Sequence, residues 1–377
     1  MTDLKPDADL LLTVDLDALV ANYMAYRVLA HGAEVAGVVK ADGYGLGLLP
    51  VARALADAGC STFFVTNLAE GAALRSLLPD GHIFLTNGLP SGTARATREA
   101  GLIPCIGSFP ELEEWVAEAG IAKAALPTAL HFDTGINRLG FGTLETLDME
   151  RLETHSKTLD IELVMSHLAC ADEVGHPLNV LQLERFRAVA ARFPKARKSL
   201  ANSAGVLLGG EYCFDLVRPG YALFGGNPRG AEGPSPVIPV VGAYARILQV
   251  RDVGAGEVAG YGATWKTAGF RRLATISVGY ADGYNWRLGS ATGAARVAFG
   301  GHLSPVAGRV SMDLLIADVT DIPKEFAIRG AYAELIGPHI PLEEVAAYAG
   351  TIGYEVLTGL GDRYARHYTG KSAPTES

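Results

Sequence analysis

The sequence predicts an α/β chain in two parts, a (β/α)8 TIM-type barrel followed by a mainly antiparallel β-domain. Three observations lead there. From residue 35 to about 225, short apolar runs alternate with amphipathic helical stretches, the pattern of parallel βα units. After a Gly/Pro-rich stretch at 225–240, "GGNPRGAEGPSPVIPV", the runs become β-like and turn-separated, with almost no helix before "PLEEVAAYAG". With 377 residues, 49% of them hydrophobic, the chain can fill two cores. The expected division is 10–228 for the barrel and 238–370 for the β-domain, both ordinary domain sizes.

The barrel runs, in order, are "VAGVVK" (35–40), "TFFVTN" (62–67), "HIFLTN" (82–87), "LIPCIG" (102–107), "TALHFD" (128–133), "ELVMSH" (162–167), "KSLANS" (198–203) and "FDLVRPG" (214–220). Eight strands close naturally into a barrel, although a six-stranded doubly wound sheet would tolerate the same pattern with two runs discounted. The helices between them carry start signals. Asn67 with Glu70 three residues on reads as a cap and its partner, and "PELEEWVAEAG" is expected to begin at Pro110 and stop at Gly120. Beyond the linker, "VGAYARILQVRDV", "RLATISVGYADG", "ARVAFGG" and "RVSMDLLIADVT" read as strands. The closing "TGKSAPTES" reads as a frayed tail.

Charge and cysteine usage exclude several classes. The formal net charge is -9, so nothing electrostatic recruits nucleic acid or an anionic membrane. The acidic N-terminus lacks a basic region followed by a long apolar stretch, and no segment approaches eighteen consecutive apolar residues, so neither a signal peptide nor a transmembrane helix is expected. Cys60, Cys105, Cys170 and Cys213 have no paired spacing, which fits buried thiols in a reducing, cytoplasmic setting.

The ends of the barrel runs carry chemistry. They finish at Lys40, Asn67, Asn87, Asp133, His167, Ser203 and Arg218, and barrel sites are built from the carboxyl ends of strands. Lys40 is the sharpest case, an amine at the end of an apolar strand followed by a glycine-rich turn. It reads either as a surface lysine capping an edge strand or as an amine aimed into a pocket, where burial makes it nucleophilic. The nine histidines show no H-x-x-x-H or H-E-x-x-H spacing, so a metal site has little support, and Ser203 in "ANSAG" does not sit in a G-x-S-x-G elbow. "RPGYALFGG" places the backbone N–H groups of Gly220 and Tyr221 after a strand, where barrels bind phosphate near strands seven and eight. A phosphorylated aldehyde held by the lysine meets both demands, and pyridoxal phosphate is the common cofactor of that kind.

Nine motifs in register carry a family resemblance: "VVKADGYGLG", "HFDTGINRLGFG", "MSHLACADE", "ANSAG", "VRPGYALFGG", "GYGATW", "SVGYADGYNWR", "GRVSMDLLIADVT" and "GYEVLTGLGDRYARHY". Together they resemble bacterial alanine racemases, fold type III pyridoxal 5'-phosphate enzymes, over about residues 10–368. The resemblance implies an isomerase that interconverts L- and D-alanine, working as a head-to-tail homodimer and supplying D-alanine for peptidoglycan. It implies that Lys40 is the cofactor-linked lysine and one base, and that Tyr261 is the opposing base, specific to the L-enantiomer. Tyrosines titrate near 10, so such a base needs neighbouring cations, for which His167 and Arg218 of the partner chain are candidates.

By the same resemblance Tyr44, Ser203, Gly220, Tyr221 and Tyr354 hold the phosphate. Arg218 faces the pyridine nitrogen, and His167 orients it, or else is a satisfied core histidine. Arg138 lies near the cofactor's phenolic oxygen and the substrate carboxylate, with Met312 lining the same end through its backbone. Tyr280, Arg309 and Asp313 belong to the entrance that admits only small amino acids. Two departures stand out. Many members carry a carbamylated lysine where this chain has His131, and Trp286 stands where an arginine commonly falls, with Arg287 one place later. A broader serine/alanine racemase is therefore the alternative within this scaffold. A decarboxylase of the same fold would want a cysteine from the second domain, and all four cysteines precede residue 214. A non-catalytic cofactor carrier would lack the second domain altogether.

Overall fold

The computed structural model describes residues 8–142, 147–230, 234–289 and 295–373. The end of the expected frayed tail, residues 374–377, lies outside them, as does the last residue of the "GYADGYNWRLGS" stretch. The chain forms two compact units, one of residues Leu19–Gly43 and Gly47–Leu223, the other of Met1–Ala18, Tyr44–Leu46 and Phe224–Ser377.

In the first unit all eight expected runs form parallel strands. They are Glu34–Val35 continued by Gly37–Val38, then Thr62–Val65, His82–Leu85, Ile103–Ile106, Pro127–His131, Asp160–Met165, Arg197–Ser199 and Leu216–Val217. Neighbours pair in sequence order from Gly37–Val38 to Arg197–Ser199. The last strand closes the ring. Leu216 and Val217 pair in parallel with Glu34 and Val35. On its other side, Asp215 N–H donates to Lys198 O and Arg218 N–H to Ala201 O. A doubly wound sheet is thereby ruled out, because such a sheet has two open edges.

The strands are as apolar as strands buried on both faces must be. Phe63, Phe64 and Phe84 have no exposed surface, and the Phe64 and Phe84 rings stack at 4.8 Å. Trp115 is fully buried, with its indole N–H donating to Thr128 Oγ1 at 3.0 Å. Each such side chain contributes about 1.5–3 kcal/mol by burial. The helix expected from Pro110 to Gly120 runs from Phe109 to Ala122, one residue earlier and two later. A Cβ at Gly120 would meet nothing within 4 Å, so the helix passes through this position and ends instead at Lys123 in the left-handed conformation.

The second unit is built on the 13-residue strand Val241–Val253. It pairs antiparallel with Leu10–Asp15, Arg271–Ile276 and Tyr332–Ile336, changing partners across an irregularity between Ile247 and Gln249. Leu315–Asp318 extends one side, while Arg296–Phe299 and His302–Pro305 extend the other. The strand Leu10–Asp15, counted with the barrel in the expected division, belongs to this sheet and pairs in parallel with Ala365–Thr369. The helices Leu342–Ala349 and Gly353–Thr358 follow late, where "PLEEVAAYAG" placed them. Among the described residues no helix is long and apolar enough to cross a membrane.

Candidate active site

Lys40 emerges directly after the first barrel strand and is half-buried. Burial pushes its ammonium below the usual lysine range, the Arg138 charge adds to this, and Glu70 opposes it. The glycine-rich turn that follows is a left-handed helical turn. Ala41 (φ 54, ψ 51), Asp42 (53, 49), Gly43 (62, 43) and Tyr44 (φ 55) all lie in the left-handed region. Of these four only Gly43 escapes the Cβ clash, which costs roughly 1–2 kcal/mol for each of the others.

Hydrogen bonds over-determine that turn. Gly43 N–H donates to Val39 O at 2.9 Å and Gly47 N–H to Asp42 O at 2.8 Å. The Asp42 carboxylate accepts Leu48 N–H at 2.8 Å, capping the next helix. Glu70 accepts Asp42 N–H at 3.3 Å through Oε1 and Thr66 N–H at 2.7 Å through Oε2. Asn67 does cap its helix, accepting Glu70 N–H at 3.0 Å. The Glu70 side chain is turned to Thr66 and to the lysine turn instead.

Farther round the rim, Ser203 is buried and its hydroxyl oxygen accepts Gly220 N–H at 3.0 Å and Ala222 N–H at 3.4 Å. This nest stands where strands seven and eight end, and Val38 N–H donates to Pro219 O at 3.2 Å beside it. Arg218 is 5% exposed and has no carboxylate partner among the described residues. Its guanidinium donates to Ser199 Oγ, to Ser166 O at 2.5 Å and to Leu200 O at 3.4 Å. These groups orient Arg218, and His167 is not among them. Burial lowers the Arg218 pKa to about 10, which leaves it charged at neutral pH.

His167 instead accepts Asn202 Nδ2–H at 3.5 Å, while Gln182 Nε2–H donates to its carbonyl at 2.8 Å. Burial, followed by the Arg218, Arg138, His131 and Lys40 charges, holds its imidazole well below the usual histidine range. Arg218, Arg138 and Lys40 thus bring cationic side chains together on one rim. His131 is buried as well, and burial, Arg218 and Arg138 lower it to about 4 against the pull of Asp133. Its Nε2 has no hydrogen-bond partner among the described residues. His131 and Arg138 line a cavity of about 260 Å³. Arg138 rides on a tight loop in which the Asp133 carboxylate accepts Gly135 N–H (2.8 Å) and Ile136 N–H (3.0 Å), and Phe141 N–H returns to His131 O (2.9 Å).

The remaining predicted residues lie in the second unit. Tyr44 is buried, its ring stacked on Phe224 at 4.6 Å and facing the Tyr354 ring at 6.4 Å. The same segment is pinned by Arg366, which donates to Gly45 O through Nε (3.2 Å) and Nη2 (2.9 Å), and by Tyr368 Oη–H to Leu46 O (2.9 Å). Tyr261 is 72% exposed on a short turn whose flanking glycines, at φ 72 and φ 75, pack against Arg309. Arg309 also lies 5.7 Å over the Trp286 ring. Met312 and Tyr280 are exposed, and the Met312 carbonyl accepts Ala281 N–H at 3.0 Å. Glu70, Asp42 and Arg366 carry no site signal in the sequence, since each acts through a contact to backbone that no motif spells out. The four cysteines are free, and burial pushes the thiols of Cys60 and Cys105 up to about 12, so neither is a reactive nucleophile.

Comparison with known proteins decides the family. A profile described as alanine racemase, N-terminal domain, matches residues 14–228, and one described as alanine racemase, C-terminal domain, matches residues 240–368. The chain belongs to the alanine racemase family. It is 48% identical over 357 residues to an alanine racemase of Methylobacterium nodulans, covering 95% of both chains. To a biosynthetic alanine racemase of Agrobacterium fabrum it is 45% identical over 375 residues, covering 97% of this chain and 95% of that one. The fold is similar to the crystal structure of alanine racemase from Bartonella henselae with covalently bound pyridoxal phosphate. The TM-score there is 0.90 at 39% identity, with 96% of this chain and all of that one covered.

Proposed function

We propose that this chain is an alanine racemase that binds pyridoxal 5'-phosphate and interconverts L- and D-alanine by two bases, Lys40 and Tyr261. The observation that carries the reading is the lysine itself: a half-buried amine, depressed in pKa, on a rim that also carries Arg138, Arg218 and the Ser203–Gly220 turn. The residues present suit an anionic, phosphorylated aldehyde. Lys40 Nζ would hold the aldehyde carbon. Ser203, Gly220 and Tyr221, with Tyr44 and Tyr354, would hold the phosphate by neutral donors. Arg218 would face the ring nitrogen and His167 would lie beside it, while Arg138 would bind the substrate carboxylate together with the Met312 backbone.

When bound, the cofactor supplies an electron sink for the substrate α-carbon. The chain supplies the rest. Once the substrate amine takes its place at the aldehyde carbon, the freed Lys40 Nζ would move the proton at the α-carbon on the D-face and Tyr261 Oη would move it on the L-face, so no single base has to cross a packed site. Arg218 keeps its own proton, since guanidinium is not deprotonated in proteins. Beside a ring nitrogen Arg218 would therefore donate no proton and would keep the sink modest, which would favour return of the proton to the same carbon.

The 72% exposure of Tyr261 supports a site completed by a second copy of the chain, and we propose a homodimer with shared active sites. In the same reading, residues 10–228 form the cofactor-binding part and 238–370 the part that lends Tyr261, with the strand Leu10–Asp15 paired to the latter. We place the enzyme in the cytoplasm, where free thiols persist, supplying D-alanine for peptidoglycan. The departures at His131 and Trp286 favour one alternative, a racemase that also accepts serine. A coupled assay of cofactor-loaded protein against single enantiomers of alanine and serine tests both readings. Racemisation of alanine in both directions, faster than of serine, supports the proposal. No turnover of alanine refutes it, and faster serine turnover supports the alternative.

A further inference from the structure

Two exposed side chains of the second unit, Tyr280 and Met312, stand on separate turns that are joined by backbone. Tyr280 N–H donates to Ser311 O and Ala281 N–H to Met312 O, both at 3.0 Å. The approach leaves no room for a side chain at Gly279, where a Cβ would lie 2.2 Å from Met312 O. The turn carrying Met312 closes on itself, with Ser311 N–H and Oγ–H both donating to Leu314 O at 2.9 Å.

One guanidinium spans both turns. Arg363 Nε lies 2.6 Å from Oδ1 of Asp282, a carboxylate with 2% side-chain exposure whose Oδ2 accepts Gly279 N–H at 2.9 Å. Arg363 Nη1 donates to Asp313 Oδ1 at 2.9 Å, at a side chain that is 57% exposed. An isolated surface pair of the second kind contributes little. Here the first contact is a close ion pair with a buried carboxylate oxygen that takes no hydrogen bond in this structure, so charge holds the guanidinium there and leaves Nη1 to reach the second. Gly361 N–H donating to Asp282 O at 3.2 Å fixes the chain that carries Arg363.

We propose that Arg363 is a positioning residue: anchored on Asp282 and reaching Asp313, it holds the Ser311–Leu314 turn against the Tyr280–Asp282 turn and so sets the size limit presented by Tyr280 and Met312. This rests on the reading that Tyr280 belongs to the substrate entrance and that the Met312 backbone lines the substrate end. Lysine cannot serve both carboxylates with a fixed fork, and Asp313→Asn removes only the exposed leg while Asp282 keeps its partner.

The test compares wild type, Arg363→Lys, Asp313→Asn and the double variant. Displacement of an entrance wall falls on substrate binding. The KM for L-alanine should rise about tenfold with kcat within about threefold, inside the range that displacements on the order of 1 Å produce. Selectivity for alanine over serine should fall, and the double variant should be no worse than the worse single one, because one contact is lost either way. Unchanged KM and selectivity, even with a lowered melting temperature, would reduce Arg363 to a structural role and overturn the proposal. Hydrogen exchange at the Tyr280 and Ala281 amides needs no substrate and separates this idea from the functional reading. Faster exchange in both single variants supports the clamp, and unchanged exchange sinks it whether or not the wild type racemises alanine.

Discussion

Protonating His131 should destabilise this protein. Its imidazole is buried beside Arg218 and Arg138, and it titrates at about 4 where an unfolded histidine titrates near 6.5. The unfolded chain therefore binds a proton that the folded chain refuses. Stability from this group is complete above pH 6.5, declines as pH falls toward 4, and changes no further below that. The full shift corresponds to about 3 kcal/mol, of which about 2 kcal/mol is lost between pH 7.5 and 5. Replacing His131 by Gln removes the titration. Equilibrium urea unfolding, followed by fluorescence of Trp115, reports on this unit, since Trp115 packs against Thr128 on the same strand as His131. Between pH 7.5 and 5 the variant should lose about 2 kcal/mol less stability than wild type. His167 is also held low, chiefly by burial and Arg218 and only in smaller part by His131, so most of its slope is shared by the two proteins and the difference reports mainly on His131. Equal losses in the two proteins would show that His131 is solvated or paired, and would refute the argument.

Further outcomes follow from the same contacts. Tyr261→Phe should leave cofactor binding intact and slow α-hydrogen exchange in L-alanine by about 10²–10⁴-fold, the usual worth of a positioned base, with D-alanine less affected; proton NMR in deuterated buffer reads both. Arg218→Met leaves the Ser199 and Ser166 acceptors unsatisfied and should destabilise the cofactor-free protein by about 2–4 kcal/mol in denaturant titration. Gly45→Ala would place a Cβ 2.5 Å from Leu357 O at φ +81, and should lower the melting temperature measured by calorimetry.

The barrel was legible because strands buried on both faces are continuous apolar runs, and all eight appear where those runs lie. The destination of "LLLTVD" was not. Six apolar-rich residues declare a buried strand without saying which sheet they join, and only Val241–Val253 and Ala365–Thr369, more than two hundred residues away, settle it. The positions of Lys40, Ser203 and Arg218 followed from their places at strand ends. The left-handed course of residues 41–44 did not, since Ala41, Asp42 and Tyr44 are poor candidates for that conformation and are held there by Glu70 and by the Asp42 cap. Glu70 illustrates the general limit: local spacing gave its helix position correctly, while its carboxylate serves backbone that spacing does not encode.

The central claim is that Lys40 is the amine that takes the cofactor, and its most direct measurement is chemical. The protein loaded with pyridoxal 5'-phosphate is reduced with borohydride, digested and mapped by mass spectrometry. A single pyridoxyl adduct, on the peptide containing Lys40, is the expected result. An adduct on a different lysine, or a fully loaded protein with none, would contradict it.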